Sequence, residues 1–316
     1  MDRVIFDFFN KRKTYDALCE HFKLKKTKDL WSYLSSKNWS RDDCPYFDFI
    51  KDYNIPFDQF DVENVYIRCK HVTTYHDEGR SLKEFGLINL QRLVEEDTLF
   101  SRFLAENGII IDVENKLFIL HGQKYPLFGW NEECPICQKK NHFCNFGYHE
   151  AIQALYTKLY NHEGEIEVFF GLDQDEGFED YSCITRHPEI LNQIDDILKA
   201  LNWNVNLSKK WEALQNESYY ILEFDLEMSA FEDINSKKLA DGFYLDSFKY
   251  FKDYLNYSGY KRSEFDEDKI PPNFYSNIFL IENSLRVFAN MKIYYGQILP
   301  RVTVDYKNLR LTPITL

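Results

Sequence analysis

The sequence predicts a mixed α+β protein, and three observations carry that prediction. Some stretches place apolar residues at helical spacing, others alternate apolar and polar residues over short runs. The two kinds follow one another without the regular strand–helix–strand alternation of a parallel α/β sheet. The 316-residue chain is also 44% hydrophobic and 17% aromatic, with 27 Phe and 22 Tyr, so a large, ring-rich core is within reach.

The elements follow in order. TYDALCEHFKL sets Tyr15, Leu18, Cys19 and Phe22 on one helical face, and DLWSYLSSKNW does the same with Leu30, Trp31 and Leu34. Five lysines between Lys23 and Lys37 give this helical region a basic face, read first as solvated surface and next as a docking surface for a partner protein. DDCPYFDFIKDYNIPFDQFD, with two prolines, reads as a linker. These features predict an N-terminal helical region over residues 1–62 and a second domain over 63–316.

In the second domain VYIRCKHVTT is a strand. LINLQRLVEEDTLFSRFLAENG is one helix stopped by Gly108. GIIIDVENKLFILHG is a pair of strands turning near Glu114 and Asn115. YHEAIQALYTKLYNH is a helix, IEVFFGL a buried strand, and RHPEILNQIDDILKALNW a helix with Pro188 near its start. SYYILEFDLEMSAF alternates as a strand and GFYLDSFKYFKDYLNY is an amphipathic helix. IFLIENS and YYGQILPRVTV are expected to close the domain as strands.

A formal net charge of −13 argues against a general grip on nucleic acid, which needs a basic surface to release counterions. Seven irregularly spaced Cys do not form a disulfide framework. No apolar run reaches the roughly 20 residues that span a bilayer. MDRVIFDFFNKRK lacks a signal-peptide core, so a cytoplasmic protein with no membrane partner is expected. A Walker lysine, a dinucleotide-binding fingerprint and a serine nucleophile elbow are all missing.

The sharpest local motif is ECPICQKKNHFCNFGYH, a Cys-rich insertion at about 130–149. Thiolates and imidazoles are the ligands Zn²⁺ prefers, and four complete a tetrahedron. Cys134, Cys137, His142 and Cys144 are expected to form a closed structural Cys₃His site, with His149 the alternative fourth ligand. The metal would order a segment with little core of its own.

A second motif is the end of the strand YIRCKHVTT. Alternation puts His71 and Thr73 on the face that carries Cys69, and Arg68 on the other. A polar loop, a short helix and Gly86-Leu87 follow. This run resembles the first strand and helix of the ADP-ribosyltransferase superfamily, which includes poly-ADP-ribose polymerases, diphtheria-type toxins and bacterial DarT-like toxins. NMKIYYGQILPRVTVDYKNLRL resembles its final strand pair. The resemblance spans roughly residues 65 to 312 and implies a split β-sheet core with NAD⁺ as substrate.

On that resemblance, His71 and Thr73 hold an NAD⁺ ribose and Arg80 serves the pyrophosphate. Tyr148, Tyr156 and Tyr181 are the aromatics to stack on nicotinamide. Gln297 stands where the family places its catalytic Glu. An amide keeps the hydrogen bonds of a carboxylate but not its charge, so activity is expected to be attenuated or lost. Glu282 is the other acid to consider.

Two functional expectations follow. The first is a transferase toxin that passes ADP-ribose from NAD⁺ to a protein or nucleic-acid acceptor, within a toxin–antitoxin or antiphage system, and is restrained by an antitoxin or other neutralising protein. The second is a catalytically inactive, zinc-containing binding module that recognises a partner protein or a nucleotide.

Overall fold

The computed structural model describes residues 3–37, 39, 46–56, 59–75, 79–135, 137–142, 147–160, 166–169, 171, 186–214, 218–231, 273–290 and 295–314. The strands are β1 (Val4–Phe6), β2 (Val65–Tyr75), β3 (Ile109–Asp112), β4 (Leu117–Leu120), β5 (Gln123–Pro126), β6 (Ile166–Phe169), β7 (Ser218–Glu227), β8 (Tyr295–Ile298) and β9 (Arg310–Ile314). The helices are α1 (Lys11–His21), α2 (Lys28–Ser36), α3 (Tyr46–Asp52), α4 (Arg80–Phe85), α5 (Leu90–Glu95), α6 (Leu99–Glu106), α7 (His149–Tyr160), α8 (Ile190–Ala200), α9 (Leu207–Glu212) and α10 (Phe274–Phe288). The mixed α+β class is therefore observed.

By contacts the chain divides into two compact units, each assembled from separated stretches. The first takes residues 1–70, 167–177 and 224–298, and the second takes 71–166, 178–223 and 299–316. By this grouping the N-terminal helices belong with residues 167–177 and 224–298.

In the first unit the strand order is β8-β6-β2-β7. β1 runs parallel to the start of β2, pairing Val4 with Val65 and Phe6 with Ile67, and β6 lies antiparallel with Lys70 opposite Phe169. α1 and α2 form where expected. Asn10 caps α1 by accepting from the backbone of Arg12 and Lys13, and Thr27 caps α2 by accepting from Leu30. The proline-flanked stretch read as a linker contains α3, whose Phe49 and Ile50 are fully buried.

IFLIENS, expected as a strand, lies inside α10. This helix is buried on every side from Ser276 to Arg286, so its polar residues, Asn277, Asn283 and Ser284 among them, mark no solvent-facing stripe, and the apolar run Ile278–Ile281 reads as an interior strand. Its polar groups are satisfied internally. Asn277 accepts from His21 Nε2 at 2.7 Å and donates to the Phe60 carbonyl at 2.8 Å. Ser284 donates to the Leu280 carbonyl, and Arg286 pairs with Glu282 one turn away at 2.9 Å.

In the second unit β3, β4 and β5 form an antiparallel meander, with Ile109 opposite Leu120 and Leu117 opposite Pro126. β5 was not legible as a strand. The expected single helix over 87–108 is two helices, because Thr98 caps α6. Its hydroxyl accepts from Ser101 N at 3.0 Å and donates to the Leu93 carbonyl at 2.7 Å. The core packs α5 to α9 against the meander through residues such as Phe103, Phe118, Leu155, Ile194 and Trp211. Within this unit Tyr219–Glu223 of β7 pair with Arg310–Ile314 of β9. The expected helix at 242–257 lies outside the described residues.

Candidate functional site

Two places carry the chemistry the sequence singles out. The first is the end of β2. Along this strand Val65, Ile67 and Cys69 are buried, while Tyr66, Arg68 and Lys70 are half-buried. Past Lys70 the pattern inverts: His71 and Thr73 are half-buried and Val72 is buried. The pleat keeps His71 and Thr73 on the face of Val65, Ile67 and Cys69. That face is closed core as far as Cys69 and partly open beyond it.

The opposite face is occupied by ion pairs. Arg68 Nη2 meets Asp225 at 3.2 Å and Nη1 meets Asp7 at 3.4 Å, which removes Arg68 from any role beside His71. Thr74 is held by the Trp211 indole N–H, which donates to its hydroxyl at 3.2 Å. Trp211 is itself boxed edge-on by Phe100 and Phe103.

The short helix after the loop is α4, with Arg80 exposed at its first position. Gly86 ends it at φ 72° and ψ −162°, a region essentially reserved for Gly. The residue must also be small, since a Cβ there would lie 2.4 Å from the Val304 carbonyl oxygen. This close approach lets Leu87 N donate to Val304 O at 2.9 Å and Val304 N donate back to Leu87 O at 3.1 Å. Gly86-Leu87 thereby ties the loop-and-helix segment to the chain that leads into β9.

Other residues singled out in the sequence are distributed as follows. Gln297 is on β8, between the buried Gly296 and Ile298, and its side chain lies outside the described residues, as do Tyr181 and Cys144. Glu282 is a buried helical residue paired with Arg286, not a strand end. Tyr156 is buried, with its hydroxyl donating to Glu132 at 2.8 Å and accepting from Lys116 at 3.2 Å. Tyr148 packs against Tyr125 and His149, with ring centroids 5.2 and 4.7 Å away. Both tyrosines belong to the surroundings of the Cys-rich loop, which leaves the nicotinamide-stacking role without support from their placement.

That loop is the second place. The sequence predicts little core of its own for it, yet Cys134 is fully buried within the main cluster of the second unit and His149 is 1% exposed. Both ends of the loop are anchored. Before it, Glu132 takes Lys116 Nζ at 2.9 Å, the Tyr156 hydroxyl and the Gly129 N–H at 3.1 Å. Burial pushes Glu132 up, but these hydrogen bonds outweigh it and hold the carboxyl below its usual range. After the loop, His149 opens α7. Lys116 also sits over the rings of Tyr156 and Tyr160, and burial pushes the Tyr160 hydroxyl up to about 12.

Inside the loop the side chains form two pairs. Cys134 Sγ lies 3.5 Å from His149 Nδ1, and Cys137 Sγ lies 3.0 Å from His142 Nε2. His149, held below the usual imidazole range by burial, is thus the ring beside Cys134. Among the described residues no three His, Cys, Asp or Glu side chains gather around one point as a formed metal site would require. Cys144, the remaining expected ligand, lies outside the described residues.

Comparisons with protein-family models, with curated proteins and with solved structures return no match. No helix among the described residues is long and apolar enough to cross a membrane. Sequence reasoning missed Lys116 and Glu132, whose spacing of 16 residues gives no local signal.

Proposed function

We propose that this chain is an NAD⁺-dependent ADP-ribosyltransferase with a macromolecular acceptor. The observation that supports the reading is the end of β2, where His71 and Thr73 share a face that opens just as the core stops. Loop, short helix and Gly86-Leu87 follow in the order the resemblance implies. In this reading His71 and Thr73 hydrogen-bond the hydroxyls of the nicotinamide ribose and fix its orientation. The glycosidic bond breaks as nicotinamide leaves with the bonding pair, and the acceptor adds to the resulting oxocarbenium carbon. A carboxylate beside that carbon would offset its positive charge in a site of low dielectric. On the resemblance Gln297 stands at the position of that carboxylate, and an amide offers dipoles without charge, so slow turnover is expected. A toxin within a toxin–antitoxin or antiphage system, restrained by a neutralising protein, is the biological setting this chemistry fits.

The test is release of nicotinamide and transfer of label from NAD⁺ to separate pools of protein, RNA and DNA. Gln297→Glu is expected to raise release on the order of 10²-fold, by analogy with the loss of one electrostatic group from a catalytic site. His71→Ala should abolish it in that background. Neither binding nor cleavage of NAD⁺ by either form sinks the proposal.

A non-catalytic binding module is the second reading, and the identity of Gln297 favours it. Binding of NAD⁺ or another nucleotide with no turnover in either form would select it.

A further inference from the structure

We infer that the outer face of the β3-β4-β5 meander pairs with the same face of a second copy of this chain, about a two-fold axis parallel to β4. This inference does not rest on the NAD⁺ reading. An antiparallel sheet with one face in solvent alternates apolar and polar residues. β3 and β4 do not: they read IIID and LFIL, the near-continuous apolar pattern of a sheet covered on both sides. The inner face carries Ile109, Ile111, Phe118, Leu120 and Tyr125, all buried. The register puts Ile110, Ile119 and Lys124 in one row of the outer face, and Asp112, Leu117 and Pro126 in the next. Four of these six outward residues are apolar, and Ile110 is 56% exposed. The face ends at His121, the next outward position on β4. Its N–H donates to Gly108 O at 2.7 Å, its ring occupies the space a Cβ at Gly108 would need, and the exposed Trp203 stacks on it at 4.6 Å.

The face, and not an edge of the sheet, is the open surface. Ile109 and Ile111 are 1% and 4% exposed, so their backbone on the free side of β3 is covered. β5 ends in Pro126, which has no N–H, and carries the exposed Lys124; both discourage an added strand. The charge pattern fits the face to itself. Its two charged groups are opposite in sign and sit on the two outer strands, Asp112 on β3 and Lys124 on β5. Sheets packed face to face keep their strands nearly aligned. A two-fold parallel to β4 sets β4 over its copy and β3 over the β5 of the second chain. Leu117 and Ile119 then meet their own copies. Ile110 lies over the aliphatic stem of the second copy's Lys124, whose ammonium reaches Asp112 one row along. Symmetry forms that ion pair twice. A two-fold across the strands would instead gather both lysines along β5 and both aspartates along β3. Three short strands bury less than the roughly 1,200 Å² at which standard interfaces begin, so the dimer is weak and forms as concentration rises.

The experiment is sedimentation equilibrium of the full chain up to several hundred micromolar, with circular dichroism of each variant as the check on folding. The mass should climb from 38.0 kDa towards twice that value. Ile110→Lys sets a second cation against Lys124 and should raise the dissociation constant at least ~10-fold, while Ile110→Glu, opposite the same lysine, should keep the dimer. Asp112→Lys and Lys124→Asp should each weaken it. The double variant should recover it, because the ion pair re-forms with its signs exchanged. A chain that stays at 38.0 kDa throughout overturns the inference. So does a dimer that Ile110→Lys leaves intact, which would place the contact elsewhere. Equal loss in Ile110→Lys and Ile110→Glu, with no recovery in the double variant, overturns the two-fold. A monomer that binds a different protein through Ile110 gives the face another occupant and overturns the inference too.

Discussion

Replacing Gly86 with Ala tests the link between the α4 segment and the approach to β9, and the structure supplies its own control. Gly86 and Gly122 both have positive φ, 72° and 83°, but a Cβ at Gly122 meets nothing within 4 Å, while one at Gly86 comes within 2.4 Å of Val304 O. Gly122→Ala therefore reports conformational cost alone, about 1–2 kcal/mol for an L-residue held in the left-handed region. Gly86→Ala adds the contact. Because the colliding atom is backbone, relief requires Leu87 and Val304 to part, with loss of two hydrogen bonds worth about 1 kcal/mol each. The backbone angles at Gly86 also lie in a region that costs about 1–3 kcal/mol for other residues. The sum is about 3–5 kcal/mol, against about 1–2 for the control. With a urea m-value of roughly 3 kcal/mol/M, Gly86→Ala should lower the midpoint by ~1–1.7 M and Gly122→Ala by ~0.3–0.7 M. Urea titration followed by tryptophan fluorescence measures both. Equal shifts would refute the argument that close approach, rather than φ alone, requires glycine at 86.

Further expectations concern other contacts. Thr98→Ala should cost about 1–2 kcal/mol in the same titration, because one hydroxyl both caps α6 and bonds the Leu93 carbonyl; Thr98→Ser should recover most of it. Burial lowers the His21 pKa below the usual 6.5, so the unfolded chain takes up this proton first on acidification. The contribution of neutral His21 is complete above about pH 6.5 and is lost as pH falls through the lowered folded value; melting temperature from pH 8 to 5 should fall less steeply in His21→Gln. Trp211→Ala should destabilise by about 3–5 kcal/mol, since the ring is 3% exposed between Phe100 and Phe103, and circular dichroism melts would show it.

What was legible in the sequence was whatever announced itself locally. Amphipathic helices such as α7 and α8, and the hairpin of β3 and β4, show their periods over a few residues. α10 did not, because burial on all sides removes the polar stripe that distinguishes a helix from an interior strand. The break between α5 and α6 was written as Thr98 followed three residues later by Ser101, but the surrounding apolar period continued across it. β1 is three residues long, too short for alternation to mean anything. At the Cys-rich loop, spacing identified the donor types but not the pairing, which depends on where α7 starts. Gly86 was visible as a helix stop; that it also admits Val304, more than two hundred residues later, was not.

The way each unit is stitched from distant stretches has a consequence for synthesis. α1 and α10 pack in the same unit, and the bond from His21 to Asn277 joins residues 256 positions apart. At 5–20 residues per second, the ribosome reaches the end of the first unit ~10–50 s after it has finished residues 1–70. During that interval the face of α1 that packs on α10 lacks its native cover. Dividing the gene at any point within residues 71–298 would therefore leave both units incomplete.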